Sequence, residues 1–335
     1  MQMRAALAAM LVLLGGCGSA GGEGGPSDDS STPPPPVGSG PAIEGCPTLP
    51  ADNVWNTPVD RLPLDPRSDD YVASIGRSGT VHPDFGSGLY DGGPIGIPFV
   101  VVVGSQARVP IVFTAYGDES DPGPYPVPGD APIEGGPGSD GDRHVLVVDR
   151  GACVLYELYR AFPNRDGSWN ADSAARYDLR SHALRPDGWT SADAAGLPIL
   201  PGLVRYDEVA AGEIRHALRF TAPRTRRAYV WPARHFASFR SDANLPPMGQ
   251  RFRLRASFDV TGLSRETQVI LRALQRYGML LADNGSSWFV SGAPHPSWNN
   301  DVLVGELRRV RGSDFEAVDV QSLMINLNSG QARQP

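Results

Sequence analysis

Apolar residues in this chain recur mostly in short runs or with a period of two. Only one long stretch carries a clear helical period. Short runs bounded by Gly, Pro and Asp predict strands at 97–103, 109–114, 144–149, 153–159, 228–231, 251–260, 279–282 and 288–291. Arg251-Phe252-Arg253-Leu254-Arg255-Ala256 alternates polar with apolar, as a strand with one wet face does. The helical period lies at 264–277: Ser264 can cap it, Val269, Ile270, Ala273, Leu274 and Tyr277 share one face, and Gly278 stops it. A shorter helix is predicted at 68–76, with Ser68 as cap and Asp69 and Asp70 suiting the dipole. Many short strands with one strong helix predict a mainly β fold. It would be a sandwich or barrel-like single domain with a few short helices and one longer amphipathic helix. A parallel α/β fold needs a helix after nearly every strand, and the pattern lacks them. His182-Ala183-Leu184-Arg185 recurs as His216-Ala217-Leu218-Arg219, but the flanks differ and no third copy exists, so no repeat architecture is implied.

The first apolar run, 5–14, follows Arg4 and is too short to span a bilayer. It leads into Leu14-Gly15-Gly16-Cys17, which resembles the lipobox of bacterial lipoproteins. That resemblance covers seventeen residues. It implies removal of a signal peptide, 1–16, lipidation of Cys17, and export to the cell envelope with a membrane anchor. The alternative is an ordinary secretion signal with a chance cysteine. The next stretch, 17–44, is rich in Gly, Ser and Pro, with Pro33 to Pro36 in a row, and reads as a flexible tether. A globular domain over 45–322 and a C-terminal tail over 323–335 complete the expected organisation. No later stretch approaches eighteen consecutive apolar residues, so no transmembrane helix is expected.

Composition adds three constraints. The formal net charge of -7 argues against broad attraction to nucleic acid. All 30 basic residues are arginine, so lysine chemistry is excluded. Of three cysteines, Cys17 goes to lipid, which leaves Cys46 and Cys153 as a pair in an oxidising compartment. Joined, they close a loop of about 100 residues, worth about 4 kcal/mol in the chain-entropy model. Two separate buried thiols are the alternative.

Three segments carry candidate chemistry. The first, 116–134, is acidic and stiff, with Asp118, Glu119, Asp121 and Asp130. Several carboxylates on such a loop can surround calcium, but the spacing is not that of an EF-hand, and solvated turns explain it as well. The second, 189–216, sets Asp193, Asp207, Glu208 and His216 near Trp189. Glycoside hydrolysis uses two carboxyl groups, one protonated and one ionised. Asp193 with Asp207 or Glu208 is the candidate pair, with Trp189 as a sugar platform. Helix capping by Asp193 and Asp207 is the bland alternative. The third runs from Trp231 to His235, followed downstream by Asp283-Asn284-Gly285 and Trp288. His216, His235 and His144 could hold zinc, yet none of the compact zinc spacings occurs, and core hydrogen bonding is the commoner fate of a histidine. Asp-Asn-Gly is first of all a turn signal. No nucleophile elbow, phosphate-binding loop or dinucleotide fingerprint is present, so neither a nucleotide partner nor a cofactor is expected.

The pieces Ala192-Asp193-Ala194-Ala195-Gly196-Leu197-Pro198, Arg205-Tyr206-Asp207-Glu208, 212–221, 231–235, Pro246-Pro247-Met248-Gly249 and 277–285 are similar to an uncharacterised group of exported bacterial proteins. The resemblance implies a shared fold and brings no activity. Three functions are therefore weighed. A surface-tethered carbohydrate-active enzyme, a glycoside hydrolase, would use Asp193 with Asp207 or Glu208. Its lyase variant would use His216 or His235 as base with an arginine such as Arg205 or Arg234 against a uronate. Trp189, Asp283 and Trp288 would help bind the polysaccharide. A non-catalytic lipoprotein binding glycan or a protein partner needs only aromatics and the tether, and a histidine-dependent metal hydrolase is the third.

Overall fold

The computed structural model describes residues 40–335. The expected signal peptide 1–16, the expected lipidation site Cys17 and most of the expected tether lie outside the described residues.

The run Val145-Leu146-Val147-Val148 has no polar face, and the strand it forms, Val145–Asp149, is buried on both sides. It sits inside a four-stranded sheet ordered Ser173–Asp178, Val154–Tyr159, Val145–Asp149, Phe99–Val102, the last pair being parallel. Leu146, Val148, Leu155 and Ala175 point into the main core. Val145, Val147, Tyr156 and Ala174 point into a second core with Trp169, Tyr125 and Ile133. A three-stranded sheet of Phe162–Pro163, Trp169–Ala171 and Ile111–Phe113 contributes to that second core.

The main core is shared with a six-stranded mixed sheet. Its order is Phe315–Val318, Arg251–Leu254, Met279–Asn284, Leu218–Ala222, Phe289–Ser291, His82–Asp84. Within that core Trp288 stacks on Phe220 and Phe315, and Phe252 meets Phe220 and Trp288 edge-on. The described residues thus form a mainly β domain, and none of its sheets closes into a barrel.

Four helices accompany the sheets: α1 (Ser68–Ile75), α2 (Tyr206–Ala211), α3 (Arg265–Arg276) and α4 (Asn300–Leu307). Helix α3 is the amphipathic one, and the Ser264 side chain accepts from the Thr267 N–H at its start. In α1 the expected cap is displaced. Arg67 occupies the cap position, and Ser68 Oγ instead accepts the Ala317 N–H of the neighbouring strand. Helix α4, capped by Asn299, has no counterpart in the sequence expectations.

The strand expected at 228–231 does not form; only a single bridge, Tyr229 to Met248, occurs there. Pro232, Pro246 and Pro247 withhold the donors that a longer ladder needs. The 251–260 strand stops at Leu254, where the chain turns. Cys46 and Cys153 form a disulfide with Cα atoms 5.3 Å apart, fastening the first hairpin to the turn before Val154–Tyr159. Residues 323–335 are integrated and not a free tail: Gly330 O accepts the Val54 N–H and Asp52 O accepts the Ala332 N–H. Among the described residues no helix is long and apolar enough to cross a membrane.

Candidate active site

Over the strands Leu218–Ala222, Phe289–Ser291 and His82–Asp84 the second face of the six-stranded sheet carries polar side chains, and register explains how. Ser291 pairs with Asp84, and Arg219 Nη1 donates to Ser291 Oγ at 2.6 Å, so Asp84, Ser291 and Arg219 follow one another across three strands. The adjoining row holds His82, Phe289, Thr221 and Asp283. Asp283 reaches it through a bulge. Phe220 pairs with Leu281 but Thr221 pairs with Asp283, so Ala282 is extra and every later side chain changes face. Without the bulge Asp283 would follow Leu281 into the core. With it, Asp283 Oδ2 stands 3.6 Å from Arg219 Nη2.

Arg219 is the centre of the cluster. It is 4% exposed and donates from Nε and Nη2 to both oxygens of Asp193, at 2.7 and 2.8 Å. Such a two-pronged pair is the strong form of ion pair. Burial disfavours the guanidinium charge, but Asp193 outweighs it and the arginine is held protonated well above its ordinary value. The charges of Asp283 and Glu134 act on the same guanidinium.

The carboxyls around it fall into two groups. Burial, reinforced by the Asp193 charge, pushes Asp283 up to about 7 although its side chain reaches solvent. Asp84, at the solvent edge of the sheet, is also raised, by desolvation first and by Glu134 next. Glu134 moves the other way. Desolvation opposes its charge, but the charge of His144 and the hydrogen bonds from it prevail and hold the carboxyl below the ordinary glutamate value. His144 Nδ1 lies 2.6 Å from Glu134 Oε2 and Nε2 lies 2.9 Å from Ala192 O. Both ring nitrogens face acceptors, so both carry protons. Burial resists that cation, yet Glu134 raises it to about 9.

Glu157 lies beneath. It is 0% exposed, in the middle of Val154–Tyr159, and accepts the N–H groups of Ile199 and Leu200. Burial lifts it to about 7 against those two donors, and Asp193 adds to the rise.

The residues singled out on the sequence fall in several places. Asp193 is spent on Arg219 and its side chain is fully buried. Asp207 and Glu208 belong to a different network with Arg205 and His216. Arg205 donates to Asp207 at 3.1 Å and lies 3.1 Å from Glu208, while His216 Nε2 is 3.0 Å from Glu208 and Nδ1 2.8 Å from Ala217 O. Asp193 is thus held by Arg219 and Glu208 by Arg205, and among the described residues no hydrogen bond or ion pair joins the two networks. Arg205 and Arg234 are buried and engaged, Arg234 with Arg185 O, Leu327 O and Asn328. Neither is free to meet a uronate. Trp288 is 0% exposed, inside the aromatic core, with Nε1 donating to Gly76 O, so it offers no sugar platform. Trp189 is half-buried under the Arg185 guanidinium.

His235 keeps one free side. Nδ1 donates to Ala194 O at 2.8 Å, leaving Nε2 half-exposed and 4.0 Å from Glu119. Glu119 and Asp121 of the acidic loop hold the 185–190 segment, through the Thr190 N–H and Arg185. Among the described residues no three His, Cys, Asp or Glu side chains are grouped to hold a metal ion.

Arg219, Asp84 and Glu157 carry no mark in the sequence expectations. Glu157 had a signal, a lone acid within Val154-Leu155-Tyr156-Glu157-Leu158-Tyr159. A wider groove of about 930 Å3 lies away from the cluster, between α3 and Arg251–Leu254. Its arginines are largely offset by Asp60, Glu213 and Glu316, so it does not displace Arg219 as the candidate centre. Comparison with protein-family models, with curated proteins and with solved structures finds no match for this chain.

Proposed function

We propose that the protein is an exported, lipid-anchored carbohydrate-active hydrolase in which Asp283 is the proton donor and Glu134 the ionised partner. One observation carries this reading. Two carboxyls that reach solvent act on the same buried arginine, and their surroundings push their proton affinities in opposite directions. That divergence is what a general acid and a general base need at neutral pH.

In the step it supports, Asp283 gives its proton to the glycosidic oxygen as the bond from the anomeric carbon breaks. Water forms the new carbon–oxygen bond and surrenders a proton to Glu134. Arg219 and His144 keep the surrounding charge fixed, so little reorganisation accompanies proton transfer. The lipobox resemblance supports the location, because a tethered enzyme meets polymers outside the cytoplasm.

Reducing-sugar release from a panel of envelope and plant polysaccharides tests the reading. The wild-type protein should release sugar, and Asp283→Asn and Glu134→Gln should each lower the rate by about 10²–10⁴-fold. Asp283→Asn should leave the unfolding midpoint little changed, whereas Glu134→Gln also removes the charge partner of buried His144 and should lower it. No release by the wild-type protein, or a fully active Asp283→Asn variant, overturns it.

A further inference from the structure

At the carboxyl ends of the parallel strands Leu218–Ala222 and Met279–Asn284 lies a cavity of about 500 Å3. Its walls are the segments 223–225 and 237–240 together with Asn284, the residue after Asp283. Asn284 joins the walls: Nδ2 donates to Ala237 O at 3.2 Å and Oδ1 accepts from Thr225 Oγ1 at 2.8 Å. No carboxylate lines the cavity, whereas two arginines do, Arg224 and Arg240. Among the described residues neither is ion-paired. The one side-chain bond of Arg224 is a long one, 3.4 Å from Nη2 to Ser74 O. The next acid along the chain, Asp242, is occupied with the Asn244 N–H. On the rim Phe239 is 88% exposed, the most exposed of the large apolar side chains.

Two guanidinium groups facing one concavity without a counter-charge repel each other, and an anion entering between them relieves that repulsion. Guanidinium planes match carboxylate and sulfate oxygens two at a time. An exposed phenyl ring suits the apolar face of a pyranose. The size is that of an ordinary ligand site. We infer that this cavity is a subsite for an acidic sugar, whose carboxylate or sulfate pairs with Arg224 and Arg240 while its ring lies on Phe239. The inference rests on the hydrolase reading for the sugar itself; what the cavity shares with Asp283 is the strand end that carries Asn284. It narrows the substrate to anionic polysaccharide.

Affinity electrophoresis of the full chain in gels containing polygalacturonate, chondroitin sulfate or a neutral β-glucan tests it. The variants are Arg224→Ala, Arg240→Ala, their combination, Phe239→Ala and Asp283→Asn. All three cavity residues are on the surface, so these variants should stay folded, which circular dichroism checks. Wild-type protein should be retarded by an anionic polymer, and each arginine removed should weaken that binding about tenfold. Raising the salt to about 0.5 M should weaken wild-type binding and hardly affect the double variant. Comparing the two anionic polymers distinguishes carboxylate from sulfate. Equal binding by the wild-type protein and the double arginine variant, or no binding of either anionic polymer, overturns the subsite. Cleavage of a neutral glycan undiminished in the double variant keeps the hydrolase and removes the subsite. Arginine-dependent binding without any sugar release, identical in Asp283→Asn, keeps the subsite and removes the hydrolase.

Discussion

Deleting the Asp193 carboxylate tests whether it is a structural partner of Arg219. If it is a structural partner of Arg219, removing it strands a guanidinium that is 4% exposed and loses bonds of 2.7 and 2.8 Å. Ser291 Oγ remains, but it is neutral, and Asp283 is the one other acid in ion-pair range, at 3.6 Å. Breaking a buried pair from one side costs about 3–5 kcal/mol. For a domain of about 300 residues, unfolding entropy of about 2 cal/mol/K per residue turns 4 kcal/mol into a Tm drop of about 6 °C. Asp193→Ala should therefore unfold at a clearly lower urea concentration, and Arg219→Met should do the same for the mirror-image reason. The double variant Asp193→Ala with Arg219→Met should lose much less than the sum, because neither charge is left behind. Equilibrium urea unfolding followed by circular dichroism gives all four corners of the cycle. An Asp193→Ala protein within about 1 kcal/mol of wild type, yet without hydrolase activity, would refute the structural assignment and return Asp193 to the chemistry.

Four further outcomes can be checked. Activity should fall as pH rises through about 7, where Asp283 loses the proton it has to donate, a limb read from a pH–rate profile. Glu157 is protonated more readily folded than unfolded, so the stability it contributes below its ordinary value of 4.5 is lost as pH climbs through about 7. Glu157→Gln should remove that loss, gaining at most about 3 kcal/mol at pH 8 relative to pH 4 in paired urea titrations. The Cys46 and Cys153 bridge spans 107 residues, so Cys46→Ser should cost about 4 kcal/mol, measured against reduced wild-type protein as a control. Gly278 has φ +65° and a Cβ there would strike the Phe252 carbonyl oxygen, so Gly278→Ala should lower the Tm by several degrees, about 2 kcal/mol or more.

What could be read in advance follows the range of the interactions involved. Helix α3 was legible because its face, its Ser264 cap and the stop at Gly278 are all local. The Val145–Asp149 strand was legible because burial on both faces leaves an unbroken apolar run. The disulfide followed from counting. Leu218–Ala222 escaped notice because Arg219 and Thr221 interrupt its apolar residues, and their polar face is satisfied only by partners elsewhere in the chain. The 228–231 run misled in the opposite sense, being apolar enough for a strand while nearby prolines deny it a ladder. Proximity in sequence also misdirected the choice of carboxylates. Asp193 and Glu208 lie within one short span, yet each is bound to a different arginine. Asp84 and Asp283 are brought to one face by sheet register and one bulge, and Glu134 comes from a distant turn through His144, none of which a single sequence encodes legibly.

The other buried arginines show why the Arg219 cluster is more than a structural ion pair. Arg251 is 0% exposed and among the described residues has no acid partner. It donates to the carbonyls of Tyr277, Val54 and Thr57, and burial alone lowers it to about 9. Arg143 likewise sits among the carbonyls of Ala161, Gly136, Pro137 and Ser139. Arg205 faces Asp207 and Glu208, and Glu208 also meets His216 Nε2. This fold therefore buries arginines among carbonyls or against one or two acids. Around Arg219 it does something else: two cations, Arg219 and His144, sit among Asp193, Asp283, Glu134, Asp84 and Glu157. Asp193 alone would neutralise Arg219, so the remaining acids are not needed for that purpose. An excess of carboxyls in a partly desolvated space cannot all ionise, and a proton must remain on some of them near neutral pH. Glu157 can hold one out of reach of solvent, but Asp283 holds one where a ligand can meet it. A mobile proton at a solvent-facing carboxyl, beside an ionised one kept charged by His144, is the property that separates this cluster from scaffold.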